Sequence, residues 1–184
     1  MKNIRKTPIF LIFIFLFSSC IKHVDFDQIE DLTAEPVFKT SLAYFTLNQV
    51  TFFDRINSLE IIAPISRTSK FLSLNSSFVR ENLEKLSIEF EIKNEFNRNF
   101  TVDFQFLDDN DIVTHSLRRF YIGANNLKYL HNETIIVSGN QKFLSSTKIR
   151  VLIQLSPSNN GGGINPNIDK KLVFKTAGTF SLKI

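Results

Sequence analysis

Leu86–Lys93 reads LSIEFEIK and Phe100–Leu107 reads FTVDFQFL. These two stretches decide the fold class. In the first, Leu86, Ile88, Phe90 and Ile92 alternate with Ser87, Glu89, Glu91 and Lys93. In the second, Phe100, Val102, Phe104 and Phe106 alternate with Thr101, Asp103 and Gln105. A period of two places every apolar side chain on one face, as a half-buried β-strand requires. The connector NEFNRN, Asn94–Asn99, is rich in turn formers, so the pair predicts a hairpin.

Working outward, Ile149, Val151, Ile153 and Leu155 alternate with Lys148, Arg150 and Gln154, although Leu152 breaks the polar face. The stretch Thr179–Ile184 would bury Phe180, Leu182 and Ile184. Val37–Leu47 has mixed faces, which predicts a strand covered on both sides. Ser58–Pro64, Lys70–Leu74, Ile112–Leu117, Glu133–Val137 and Lys171–Lys175 are further strand candidates. Ser76–Leu83 and Gly139–Ser145 suit short helical turns. No segment carries an apolar stripe of period 3.6 over three turns. Eight to ten short strands with intervening turns predict an all-β chain, a single β-sandwich of immunoglobulin-like or Greek-key type. A small β-barrel is the alternative.

The start of the chain, MKNIRKTPIFLIFIFLFSSC, has a different physical character. Lys2, Arg5 and Lys6 precede an apolar run from Ile9 to Phe17, followed by Ser18, Ser19 and Cys20, the one cysteine of the chain. The run is too short for a spanning helix, which needs about 20 apolar residues, and it has the length of a signal-peptide core. Phe17-Ser18-Ser19-Cys20 resembles the lipobox of bacterial lipoproteins, with Phe17 where leucine is commonest. The resemblance implies lipid attachment at Cys20, removal of residues 1–19, and a membrane anchor through acyl chains. An ordinary secretory signal cleaved after Cys20 is the alternative. Each buried methylene contributes about 0.8 kcal/mol, and one chain alone anchors marginally, so several chains on Cys20 would hold the protein firmly.

The division that follows is a leader over 1–19, a lipidated cysteine with an acidic tether over 20–36, and a β-sandwich domain over 37–184. Asp25, Asp27, Glu30, Asp31 and Glu35 stand against Lys22 in the tether, IKHVDFDQIEDLTAEP. Such a segment repels itself and stays extended. It also partly resembles the acidic signal that marks surface export among lipoproteins of the Bacteroidetes group, which implies the outer membrane, on its periplasmic or surface face.

Loss of the leader changes the charge reading. The full chain has 22 basic and 18 acidic residues; the leader holds three of the basic ones and none of the acidic, so the mature chain carries 19 and 18. Near neutrality gives no footprint for nucleic acid. Of the 20 phenylalanines, 16 lie beyond the leader. With Cys20 consumed, no internal disulfide can form, and stability must come from the core.

Candidate sites are sparse. Ser156–Asp169, SPSNNGGGINPNID, is a long loop with three glycines and two prolines; it could carry recognition or merely connect strands. Its glycines are followed by Ile164 and Pro166 rather than a phosphate-loop lysine. Asp108-Asp109-Asn110-Asp111 offers oxygen ligands for calcium but reads better as a hairpin turn. His23, His115 and His131 have no zinc-ligand spacing. Arg118-Arg119-Phe120-Tyr121 could contact an acidic glycan or partner, or guard a strand edge. Glu89 and Glu91 share an outward strand face. No serine has a nucleophile context, and there is no tryptophan for sugar stacking. Asn75, Asn99 and Asn132 begin chance N-x-[ST] sequons. The expectation is therefore a non-enzymatic module with no cofactor and no metal, which binds or supports another envelope protein. The alternative is a surface glycan-binding accessory protein or a lipoprotein hydrolase, with acids near Glu60, Asp108, Asp111 or the Ser156–Asp169 loop.

Overall fold

A computed structural model describes residues 35–54, 56, 59–157 and 163–184. The leader, Cys20 and the tether to residue 34 lie outside the described residues. The described residues form eleven strands: β1 (Val37–Asn48), β2 (Phe53–Asp54), β3 (Leu59–Glu60), β4 (Ile65–Lys70), β5 (Leu83–Asn94), β6 (Phe100–Leu107), β7 (Val113–Ser116), β8 (Phe120–Ile122), β9 (Tyr129–Ile136), β10 (Lys148–Leu155) and β11 (Lys171–Leu182). Among the described residues a short helix, α1, covers Ser77–Asn82, with Ser76 as its N-cap. The suggested turn near Gly139 is a pair of 3-10 segments, Val137–Gly139 and Gln141–Ser145.

Two antiparallel sheets form the body. One has the order β1-β11-β5-β9; the other has β4-β10-β6-β7, with β8 also pairing β6. β7 pairs the end of β6 and β8 its beginning, so together they form one interrupted edge strand. β2 and β3 make a small separate pair. Successive long strands alternate between sheets: β1 and β4, β5 and β6, β9 and β10, and then β11. This is the winding of a jelly roll, two Greek keys folded into a sandwich. The all-β sandwich expectation holds, in its Greek-key form.

Alternation along β5 and β6 has the faces expected of it, yet the two strands are not a hairpin. They belong to opposite sheets. The connector turns a corner because three of its residues are swallowed: Asn94 and Phe96 are buried, and Arg98 is 5% exposed. Asn94 fixes the corner, its side chain donating to the carbonyls of Arg98 (2.9 Å) and Gly123 (2.7 Å) and accepting from the Phe96 amide (2.9 Å). A turn-forming composition therefore encodes a crossing here, since period-two alternation says which face is buried but not which strand lies alongside.

β1 corrects a second expectation. It is an edge strand with one face in solvent, paired only with β11. Its mixed faces come from a β-bulge: register shifts between Ser41 and Ala43, so Leu42 and Ala43 are both buried. An extra residue in one strand resets the inside–outside alternation. Lys171–Lys175 and Thr179–Ile184 are one continuous strand, β11, rather than two. Gly178 at its middle faces inward, where a Cβ would stand 2.9 Å from a Leu86 methyl and 3.0 Å from a Leu42 methyl. The bulge that turns Leu42 inward thus fills the space that Gly178 leaves. Lys70–Leu74 is not a strand; β4 ends at Lys70, and Leu72–Leu74 form a 3-10 turn that drives Phe71 and Leu74 into the core.

Phenylalanines bind the sheets. Phe90 of β5 meets Phe104 of β6 edge to face, with centroids 5.3 Å apart. Phe106 meets Phe143 at 4.9 Å and Phe71 at 5.2 Å. Burying one such ring contributes about 1.5–3 kcal/mol, and perpendicular pairs add about 0.5–1.5 kcal/mol. Aromatic packing thereby takes the place of disulfides.

Candidate functional site

The outward face of the β1-β11-β5-β9 sheet is polar, and the strand register arranges it in rows. Tyr44, Lys175, Glu91 and Leu130 stand side by side across the four strands. The next row is Ser41, Ala177, Glu89 and Asn132. Large side chains in the first row rise beside small ones in the second, and a depression of about 580 Å³ opens between them. Tyr44 and Leu130 stand at its two ends, 67% and 61% exposed. Lys39 bridges Glu89 at 2.6 Å and Lys175 bridges Glu91 at 3.3 Å. These pairs sit in solvent and contribute little stability, about 0–1 kcal/mol each, but they fix alternating donors and acceptors along the depression.

A second polar cluster closes one end of the sandwich. Arg98 Nη1 donates to both oxygens of Glu60, at 2.6 and 2.7 Å, and Nη2 donates to the Ser156 carbonyl at 2.6 Å. The Ile164 amide donates to Glu60 Oε1, and Ile164 is itself buried. One guanidinium therefore joins the β5–β6 corner, the end of β3 and, directly or through Glu60, both described flanks of the Ser156–Asp169 loop. The fork geometry of arginine suits such bidentate pairing. Residues 158–162 lie outside the described residues. Glu60, considered as a general acid, is thus committed to Arg98 and to a backbone amide.

The other acids do not join it. Asp108 lies past the far end of β6, which has eight residues and so runs about 26 Å. Its carboxylate accepts from the Asn110 and Ile112 amides, both at 2.9 Å. Asp111, with φ 61°, takes the left-handed position of the turn and pairs with Lys148 at 2.8 Å. The Lys148 ammonium, by hydrogen bond and charge, lowers the Asp111 pKa. These contacts make Asp108–Ile112 a side-chain-stabilised hairpin turn. Among the described residues no group of three His, Cys, Asp or Glu side chains could hold a metal ion.

The basic-aromatic stretch splits. Arg119 forks onto Asp103 at 2.7 and 2.8 Å, Phe120 is buried, and Tyr121 is 66% exposed. Phe120 stacks on Tyr129 and lies 4.8 Å from His131. His131 Nε2 and Glu133 Oε1 are 2.9 Å apart on β9, and burial raises the Tyr129 hydroxyl pKa. Both side chains share the inner face of an edge strand, where polar groups oppose edge-to-edge association. His115 lies against Phe106 and Phe143; burial lowers its pKa, against a hydrogen bond to Asn140 that raises it. His23 and Cys20 lie outside the described residues.

Sequence reading missed Arg98, Asn94 and Tyr44. The first two are hidden in a connector that resembles any polar turn. A signal existed in Phe96, a large apolar residue inside that turn, whose burial draws its neighbours inward. Tyr44 was concealed by the bulge that broke the alternation of β1.

No protein-family model matches the chain, and no curated protein sequence does. Among solved structures, the chain is similar to a presumed secreted protein from Parabacteroides distasonis ATCC 8503, at 11% identity and TM-score 0.50, over 64% of this chain and 38% of that one. It is also similar to the VP2 subviral particle protein of infectious bursal disease virus, at 8% identity and TM-score 0.41, over 80% and 32%. A third is the enzymatically active domain of bacteriophage CBA120 tailspike protein 4, at 11% identity and TM-score 0.41, over 80% and 19%. The chain thus spans about a third of the length of the first two. The first likeness shows an all-β fold and nothing further about activity.

Proposed function

We propose that this protein is a lipid-anchored, non-catalytic binding module of the cell envelope. Lipid at Cys20 ties it to the membrane, most naturally the outer membrane, and the acidic stretch to Pro36 holds the sandwich away from the lipid surface. The module binds or supports another envelope component through the outward face of the β1-β11-β5-β9 sheet.

The depression on that face carries the reading. It is built from strand residues, so its walls are held rigidly. It is open and shallow, with Tyr44 and Leu130 exposed at its ends, which suits contact with a larger partner better than enclosure of a reacting group. The acids that a hydrolase would need, Glu60 and Asp108, stand at opposite ends of β6 and are occupied by structural hydrogen bonds.

Metabolic labelling with a radioactive fatty acid, followed by envelope fractionation, tests the anchor. Wild type incorporates label and stays with membranes, whereas Cys20→Ala does neither. Unlabelled wild type in the soluble fraction would refute the anchor. Affinity purification from the native envelope tests the face: the component recovered with wild type is lost on Ala177→Arg, which fills the depression. Recovery unchanged by that variant would refute the assignment of the face.

A further inference from the structure

We infer that the depression on the β1-β11-β5-β9 sheet is a subsite for an uncharged glycan, two to three sugar units of it at a time. This rests on the reading of the protein as a binding module and names the class of its partner.

The size is the first ground. A depression of about 580 Å³ falls in the range of about 300–1,000 Å³ that small ligands occupy. Its openness along the sheet lets a polymer run through rather than end within it.

Charge is the second. Lys39 and Lys175 are each matched by a carboxylate, Glu89 and Glu91. The lining of the depression is therefore neutral in sum, and it offers no local preference for phosphate, sulfate or anionic lipid. Each of the four side chains is about half exposed or more, so each keeps donors or lone pairs free after pairing. Sugar hydroxyls are donors and acceptors at once, and a row of alternating donors and acceptors meets them without leaving a charge uncompensated. Asn132, in the row with Glu89, adds an amide that both donates and accepts.

Apolar platforms are the third. A pyranose has a flat apolar side as well as a polar rim. Tyr44 offers an exposed ring with a polar tip, the amphipathic surface such a side packs against. Leu130 offers an exposed aliphatic surface at the opposite end. In the neighbouring row Ala177 and Ser41 keep the floor low, so a ring can lie flat on the sheet beside Lys175 and Glu91.

The measurement is saturation-transfer NMR on the detergent-solubilised full-length protein, with neutral gluco-, manno- and galacto-hexasaccharides as probes and a sulfated hexasaccharide as the anionic control. At least one neutral probe receives saturation. Its affinity falls about five- to tenfold in Tyr44→Ala, the loss of one stacking contact, and disappears in Ala177→Arg. Both positions lie on the outward face, and an unchanged thermal midpoint confirms that each variant is folded. Transfer to none of the neutral probes, transfer only to the sulfated one, or binding indifferent to both substitutions overturns the inference. Capture of an envelope protein that is lost in Tyr44→Ala, with no saccharide signal, also overturns it while leaving the binding-module reading standing. Loss of both signals removes that reading as well.

Discussion

Glu60→Ala should be the most informative substitution for the integrity of the fold. In the native protein the Arg98 side chain is 5% exposed and that of Glu60 18%. The two share hydrogen bonds of 2.6 and 2.7 Å. Removing the carboxylate breaks the bidentate pair of a buried guanidinium, and breaking a buried pair from one side costs about 3–5 kcal/mol. The Ile164 amide loses its acceptor in the same step. A domain of this size has about 5–15 kcal/mol in total, so the loss is a large share, equal to a fall in thermal midpoint of about 6–20 °C. Arg98→Met should cost less, because Glu60 is closer to solvent and can recruit water; about 1–3 kcal/mol is expected. The double variant Glu60→Leu/Arg98→Met should be more stable than Glu60→Ala alone, since the buried guanidinium is removed together with its carboxylate. Urea unfolding followed by far-UV circular dichroism is the appropriate assay, because the chain has no tryptophan. An unchanged m-value would show that only stability has moved. A Glu60→Ala loss below about 1 kcal/mol, the scale of a surface pair, would refute this account of the clamp.

Three further outcomes follow from local geometry. Gly178→Ala places a Cβ 2.9 Å from Leu86 and 3.0 Å from Leu42, and overpacking of this kind costs about 1–3 kcal/mol; combining it with Leu42→Ala should give a non-additive result in urea unfolding, and simple additivity would contradict the proposed fit. Asp108→Ala removes the acceptor for the Asn110 and Ile112 amides and should cost about 1–3 kcal/mol; millimolar calcium should leave the wild-type thermal midpoint unmoved, since a bound ion would raise it. The His115 pKa is lowered by burial, so the fold favours neutral imidazole; stability is fully present above the unfolded value of about 6.5 and is lost as pH falls from there through the folded value. The stability difference between wild type and His115→Gln should therefore shrink on acidification from pH 8 to 5, and a difference independent of pH would show that the imidazole is not the cause.

The sequence by itself determined that the chain is all-β, and which faces of β5, β6 and β10 are buried. Alternation is a local property, dictated by the geometry of a single extended strand. The turn at Asp108–Asp111 was equally legible, because Asx-type hydrogen bonds form within a few residues. The order of charge, apolar run and small residues that ends at Cys20 is likewise local, and the lipid attachment it implies falls outside the described residues.

Only the tertiary structure decided which strands are neighbours. β5 and β6 could have paired as a hairpin; burial of Phe96 and Arg98 in the corner sends them to opposite sheets instead. A single bulge at Leu42 made an edge strand look doubly covered, and Gly178 made one strand look like two. The rows that align Tyr44 with Lys175, Glu91 and Leu130 depend on pairing among β1, β11, β5 and β9, segments from both ends and the middle of the chain. The same is true of Glu60 and Arg98, 38 positions apart. Long-range register arises from the simultaneous packing of both sheet faces and the closure of their loops, which no local pattern records.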